Sequence, residues 1–555
     1  MKNIYSKSLA AILIISGLTA CSSDLNISSI DPQSSPSYEE TQLLAKQYAT
    51  LGVTGQKGIT GNGDITMDEG ESGFYRCTFN CQELPTDECI WAWQTDTDIP
   101  QLTNISWNSS SKRTQWVYNR LGYDITLYNF YLSETTDRTD LKNQRAEVRF
   151  LRALHYWYFL DLFHKAPFKT TFNVYELPVE KAGKDLYDWL DNELTELEAD
   201  LADVGSFDNA DNFGRADKGA AYILHARLAL NSAVYTDGVT KDYTKAKEYC
   251  DKVINSGKYA LSKTANGNYS GYAQLFMADN DENAQAMKEI IFPIRQDGLK
   301  TRSYSGSTYL VCSMRIAGMP DLGTTNAWSC NFARGSLIEK FFPTITDCPI
   351  STSKAPTGAT EADIKTLDKA DGSSTAQIIT KAGDDRAMFY GGRGGGVRKL
   401  KTDKITSFLD GMSIVKWDNH RLDGAATHDV EFPDVDIPLI RYAEAYLTRA
   451  EAQFRLGNQT DAMKDINVLR DRAHAKQLTS IDERTILDEW CREFYMEGRR
   501  RSDLVRFNCF TTKNYIWDWK GGVENGTAVD SHYNVYPIPI DDINNNKNMS
   551  QNKDY

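Results

Sequence analysis

Residues 145–163 read RAEVRFLRALHYWYFLDLF. This stretch spans several helical turns and contains neither Gly nor Pro, the residues that most disfavour a helix interior. Leu151, Leu154, Tyr158 and Leu162 recur near helical spacing on one face, and Phe150, Ala153, Trp157 and Leu160 on another. A helix apolar on two faces has neighbours on both sides, so it belongs inside a helical array rather than on its rim. Glu147, Arg149 and Arg152 place polar groups in the first turns, and Asp161 one near the end. His155 falls among the aromatics and reads as a satisfied core histidine. Lys165-Ala166-Pro167 follows, and Pro167 stops the helix.

On either side of this helix the periodic segments come largely in pairs. Candidates are 38–52 and the Trp- and Tyr-rich 113–132; 186–201 partners 145–163; 217–235 precedes 243–256; 438–456 turns at Gly457-Asn458 into 460–475. The last two pairs carry small residues and Tyr like tetratricopeptide units, each two antiparallel helices joined by a short turn. They are scattered rather than tandem, so long insertions build something else on one face. The largest insertion runs from about 260 to 438, is richer in Gly and Ser, and holds short β-like pieces such as 289–294. GGRGGG at 391–396 lacks the Gly-Lys-Ser/Thr ending of a nucleotide loop and no helix pattern follows, so it reads as a flexible turn. A further helical segment spans 489–507. The expected architecture is mostly α: a scaffold of tetratricopeptide-like helix pairs with a large, loop-rich, partly β insertion.

The chain has 555 residues, 41% hydrophobic and 25% charged, which is ordinary globular composition. A net charge of -14 without a Lys/Arg-rich block argues against nucleic-acid binding. Lys2 and Lys7 precede a short apolar run, 9–17, that is too short to span a bilayer, and then Leu18-Thr19-Ala20-Cys21. This resembles a bacterial lipobox. Residues 1–20 read as a signal peptide, Cys21 as the lipidated first residue, 21–37 as lipidated end and polar tether, and 38–555 as the functional unit. Cys77, Cys81, Cys89, Cys250, Cys312, Cys330, Cys348, Cys491 and Cys509 remain. Their spacing gives no paired CxxC zinc pattern, and Cys77 and Cys81 permit a bridge without requiring one. Most read as buried small hydrophobes.

No HExxH, GxSxG, kinase or P-loop set occurs. Carboxylates are abundant, but no local motif singles out a glycosidase pair. Three stretches carry more chemistry than structure demands. Residues 68–76, DEGESGFYR, mix acids, Gly and Arg; 87–96, DECIWAWQTD, place Trp91 and Trp93 two apart; 304–328 hold Tyr304 and Trp328 in Gly/Ser/Thr loops. If 87–96 is extended, Trp91 and Trp93 project on one face as a platform of two indoles. A pyranose has an apolar C–H face that stacks on such rings, and hydroxyls at its edge that pair with carboxylates and guanidinium forks.

Residues 145–163 with the following Ala166-Pro167 resemble the signature AEaRFLRAlyYfyLvdlFG-vP of the SusD/RagB family, outer-membrane nutrient-binding lipoproteins of Bacteroidetes. Residues 489–507, EWCREFYMEGRRRSDLVRF, resemble its R-ELafEG-R-fDLrRw segment. Tyr536-Pro537-Ile538-Pro539 and the Asn-rich tail resemble its lPIP…N-n-QNpgY ending. The three ligand stretches are similar to those of the family's starch-binding branch. The resemblance implies an arc of aromatics, Trp91, Trp93, Tyr304 and Trp328, following a curved α-1,4-glucan, with Asp68, Arg76 and Asp96 on the sugar edge. Asp96 departs from the Asn found there: ionised Asp only accepts hydrogen bonds, whereas Asn also donates. The resemblance also implies a structural calcium on Asp281, Asp434 and Asp436, whose oxygen-rich segments suit that ion. It implies a lipid-anchored, cell-surface outer-membrane protein without catalysis. Starch, amylose, malto-oligosaccharides and cyclodextrins would be its ligands, and a SusC-type TonB-dependent transporter its partner. Two other classes stay open: a hydrolase of the same pathway, which would release reducing sugar from starch, and a pure protein scaffold, which would bind no glucan.

Overall fold

The computed structural model describes residues 39–555 apart from 62, 66, 67, 210, 317 and 395. The signal peptide, Cys21 and the tether therefore lie outside the described residues. Gln47–Tyr555 is one compact unit, and all three ligand stretches lie within it.

Four helices open the scaffold: α1 (Glu40–Gly52), α2 (Phe74–Glu83), α3 (Lys112–Glu134) and α4 (Lys142–Phe163). In α4, which contains the opening stretch, every residue from Phe150 to Phe163 is buried. It packs against α3 on one side and α5 (Gly183–Leu197) on another. A helix so enclosed needs each polar group paired. Arg152 donates to Glu193 and to Asn129, both at 2.9 Å. Arg149 grips the same Glu193 at 2.9 and 2.8 Å. Asp161 accepts from Tyr235 at 2.8 Å and Gln82 at 2.7 Å. His155 is fully buried, its Nδ1 2.8 Å from the Leu151 carbonyl and its Nε2 3.2 Å from Asp124. It is the satisfied core histidine the sequence suggests. The helix stop differs from expectation. α4 ends at Phe163 because His164 turns left-handed (φ 57°), and Pro167 lies beyond, in strand β2 (Lys165–Phe168) paired with β3 (Val179–Ala182).

Helices α6 (Lys218–Leu230) and α7 (Tyr243–Asn255) pack as one pair, α9 (Ala443–Arg455) and α10 (Gln459–Arg472) as another, and α7 joins α9. Asp217 caps α6 by accepting the Gly219 and Ala220 amides at 2.7 and 3.2 Å. Two expected helices are not continuous. Residues 437–441 form strand β8 (Ile437–Arg441), antiparallel to β4 (Ile290–Ile294), and α9 begins only at Ala443. Each strand carries a Pro, which a two-stranded ladder tolerates because both strands are edges. Residues 489–507 split into α11 (Glu483–Phe494) and α12 (Arg500–Arg506) around left-handed Met496 (φ 58°) and Gly498 (φ 76°). Buried Glu83 accepts the Gly498 and Arg499 amides at 2.7 and 2.9 Å and Glu88 that of Met496 at 2.9 Å, replacing the helical bonds lost at the turn.

The insertion contains α8 (Gly306–Met314), strand β5 (Asn331–Ala333), which pairs with β1 (Cys89–Trp91), and the short pair β6 (Phe389–Tyr390) and β7 (Ser413–Ile414). The described residues of the GGRGGG segment make no helix. Its Arg393 is anchored rather than flexible, because it is buried and pairs with Asp368 at 2.8 Å and Asp371 at 2.5 Å. All nine cysteines of the described residues are buried and unbridged. Burial pushes the Cys77 and Cys81 thiols up to about 12. Among the described residues no helix is long and apolar enough to cross a membrane.

Candidate functional site

The β1–β5 ladder assembles the site. It pairs Cys89 with Ala333 and Trp91 with Asn331, and the Ala92 amide extends it by donating to the Cys330 carbonyl at 2.7 Å. Two segments some 240 positions apart are thereby laid side by side. Where the ladder ends, Trp93 turns outward, 45% exposed, and its indole N–H donates to the Trp328 carbonyl at 2.8 Å. The half-buried Trp328 ring lies 6.3 Å from that of half-buried Tyr304, which also packs on Phe432 at 5.4 Å. Phe408 meets Trp93 edge-on at 4.8 Å. Trp93, bonded to the Trp328 backbone, and the Trp328–Tyr304 ring pair thus come together from two distant stretches as a row of aromatic residues.

Trp91 does not stand beside Trp93. The strand ends at Trp91 and the chain turns, with the Gln94 amide bonded to the Ala92 carbonyl at 2.9 Å, so the alternation that would put both indoles on one face stops. Trp91 is 3% exposed and stacks on buried Tyr309 at 5.6 Å. Asp96 accepts its indole N–H at 3.0 Å. Arg76 is buried under the row, its guanidinium 4.8 Å from the Tyr309 ring, 5.9 Å from Trp328 and 6.0 Å from Trp91. At these distances the cation faces the negative faces of three rings. Its Nη1 donates to the Tyr304 carbonyl at 3.2 Å. Asp68 is exposed and accepts the Glu71 amide at 3.1 Å.

The scaffold holds this loop through α3. Arg113 donates to Glu71 at 2.9 Å, and Glu71 stands 3.5 Å from Arg76. Arg120 donates to the Ser72 and Thr54 carbonyls at 2.7 and 3.0 Å. Burial raises the Tyr304 phenol, and Glu431, accepting its hydroxyl at 3.3 Å, raises it further. Sequence reading did not single out Glu69, Glu71, Tyr309, Phe408, Glu431 or Phe432. Glu69 and Glu71 sit inside the 68–76 stretch, whose acids were the available signal; Phe408 and Phe432 lie in the insertion with no local pattern.

The SusD family model matches residues 288–555. The Starch-binding protein SusD of Bacteroides thetaiotaomicron is 58% identical over 563 aligned positions, covering 100% of this chain and 99% of that protein. The chain belongs to the SusD family. A more distant member, the SusD-like protein P25 of Formosa agariphila, is 25% identical over 72% of this chain and 70% of its own length. Among solved structures, a SusD-like protein of Bacteroides fragilis shares the fold at TM-score 0.66 and 19% identity, over 95% of this chain and 100% of that one. Surface glycan-binding protein A of Bacteroides thetaiotaomicron, in complex with laminarihexaose, does so at TM-score 0.62 and 16% identity, over 92% and 98%. The fold is that of the SusD family, with the helical scaffold and insertion expected.

The acids of the insertion gather beside this site. Arg295 bridges Asp281 at 2.7 Å and Asp436 at 2.8 Å. Asp434 instead groups with Asp297 and His428, their potential ligand atoms lying within 4.8 Å of one another. Asp436 and Asp434 accept the Gln296 and Gly298 amides at 2.5 and 2.8 Å, fixing the segment that leads into Tyr304. Burial pushes the Asp436 carboxyl well above the carboxylate range, with Arg295 opposing and Asp281 and Asp434 adding to the rise.

Proposed function

We propose that this SusD-family protein is a non-catalytic starch-binding protein that captures α-1,4-glucan on the row Trp93, Trp328 and Tyr304. The meeting of that row at the end of the β1–β5 ladder carries the reading. The 58% identical relative is itself named for starch binding. Asp68, Arg76 and Asp96 lie around it as polar groups for the sugar edge, Arg76 and Asp96 also fixing the rings; Trp91 supports from beneath.

An α-1,4-glucan coils, whereas a β-1,4-glucan is straight. A row built from two separate loops fits a curved chain and leaves a straight one touching part of it. Against the cost of association, modest affinity on the order of 10⁻³ to 10⁻⁵ M is expected. Calorimetric titration tests this directly: maltoheptaose, amylose and cyclodextrins should bind, and cello-oligosaccharides little. Equal binding of maltohexaose and cellohexaose would overturn it.

Capture alone leaves transport undone, so the partner is a SusC-type TonB-dependent outer-membrane transporter, with the protein held at the cell surface through lipid on Cys21. Tagged protein extracted in mild detergent should bring down a barrel protein, and Cys21→Ala should be released from the membrane. Absence of a barrel from the pull-down, or fatty-acid incorporation into Cys21→Ala, would refute the respective assignment.

A calcium ion on Asp281, Asp434 and Asp436 would have to displace Arg295, which bridges Asp281 and Asp436, and draw Asp434 from its group with Asp297 and His428. All three offer the oxygen donors that calcium prefers. Such an ion would tie 434–436 to the segment before Tyr304. Chelation should lower the melting temperature, and added Ca²⁺ should restore it; an unchanged melt would remove the ion from the account.

A further inference from the structure

We infer that Glu69 is a positioning residue that sets the direction of the Tyr304 ring and with it the curvature of the aromatic row, an inference that rests on the starch reading above. Glu69 is buried. One carboxylate oxygen accepts the Thr54 hydroxyl and the other accepts the Tyr304 amide at 2.9 Å. The Tyr304 carbonyl is taken by Arg76 at 3.2 Å. The peptide groups flanking Tyr304 are thus gripped on both sides by the single segment 69–76. Gly70 makes that grip possible: a Cβ there would stand 2.6 Å from the Tyr304 Cβ and 2.8 Å from the Arg76 Nη1, so only Gly allows the approach.

Glu69 differs from buried carboxylates of the helical core such as Glu451 and Glu493, which face arginines. Among the described residues it makes no ion pair; its oxygens serve a hydroxyl and a backbone amide. A buried carboxylate costs desolvation, which hydrogen bonds to its charged form offset in part. The carboxylate offers a two-oxygen acceptor that orients both Thr54 and Tyr304, and the Tyr304 ring is then braced by Phe432 and Trp328.

The experiment compares the full chain with Glu69→Ala, Glu69→Gln and Thr54→Val. Binding of α-cyclodextrin, maltohexaose and cellohexaose is measured by calorimetry, and folding by thermal melts. Glu69→Ala should weaken α-cyclodextrin about tenfold, the scale of one or two lost hydrogen bonds, and narrow the preference for maltohexaose over cellohexaose. Glu69→Gln keeps a carbonyl acceptor for the Tyr304 amide and should bind within about threefold of the parent. Thr54→Val frees one oxygen of Glu69 and should shift binding in the same direction by less. The inference falls if folded Glu69→Ala binds like the parent, or if Glu69→Gln fails as badly as Glu69→Ala. Should Glu69→Ala not fold, parent-like binding by folded Thr54→Val overturns it. A parent that binds no cyclodextrin overturns the starch reading instead.

Discussion

The aromatic row and the ionic cluster beneath helix α11 use similar residues to opposite ends. In the cluster, Glu493 accepts from Arg441 at 2.6 Å, from Arg386 at 3.0 Å and from Arg472. Glu497 accepts from Lys416 at 2.6 Å and Arg441 at 2.8 Å, and Glu289 from Arg472 at 3.0 Å. Each of these charges has a counter-charge, and all are buried. At the row, Arg76 faces rings and a carbonyl and pairs with Glu71 at 3.5 Å, Glu69 has no cation among the described residues, and Trp93 stands open. Saturated charge is structure. On the proposed reading, the charges set against rings and hydroxyls beside an open indole receive the hydroxyl-rich ligand.

Replacing Glu493 by Ala should break this contrast most strongly. It leaves three buried arginines each short of one partner and should cost about 3–5 kcal/mol of stability, with loss of soluble yield or a large fall in melting temperature. Binding should fall only as far as the protein unfolds.

Acid should act on the helical core in the same way. Burial alone would raise the Glu451 carboxyl, but Arg506 and Arg455 override it and hold it at about 2. Since this folded value lies below the unfolded value near 4.5, the stability is present above pH 4.5 and is lost as pH falls toward 2. Glu451 accounts for about 3 kcal/mol of it. Chemical denaturation across pH 2–5 measures the slope; a stability independent of pH there would contradict the pairing.

The converse comes from the row. Trp93→Ala combined with Tyr304→Ala and Trp328→Ala should lose about 3 kcal/mol of glucan affinity, roughly a hundredfold in Kd, if each ring contributes about 1 kcal/mol. The melting temperature should barely move, because Trp93 is open and the other two rings are half-buried. Parent-like α-cyclodextrin binding by this variant would remove the rings from the site.

The smallest effect is expected at Asp96. Its carboxylate serves the Trp91 indole N–H at 3.0 Å, and an amide oxygen can replace it. Asp96→Asn should therefore bind maltoheptaose within about twofold of the parent, a difference of about 0.4 kcal/mol. Loss of binding would mean that the charge itself contacts sugar.

Helix α4, the tetratricopeptide-like pairs and the loop-rich insertion were legible because apolar spacing over many residues is a local property. Trp93, Tyr304, Trp328 and Arg76 were named through their neighbours and the family resemblance, and the structure brings these four together. Breaks inside helices were not legible: strand β8 exists because β4 pairs with it, and the Met496–Gly498 turn because Glu83 and Glu88 reach it from some 400 positions away. The fate of Trp91 was likewise beyond local pattern. Residue spacing puts it beside Trp93, but the strand ends at Trp91 and Tyr309 receives its ring.

By itself the sequence determined that the chain is mostly helical and that the scaffold is an array with an enclosed central helix, since hydrophobic period suffices for each. The tertiary structure alone decided which rings meet. Whether an indole lies open or under a neighbour depends on a ladder closing over some 240 positions and on single acceptors such as Glu69 and Asp96, and no local sequence pattern encodes contacts at that separation.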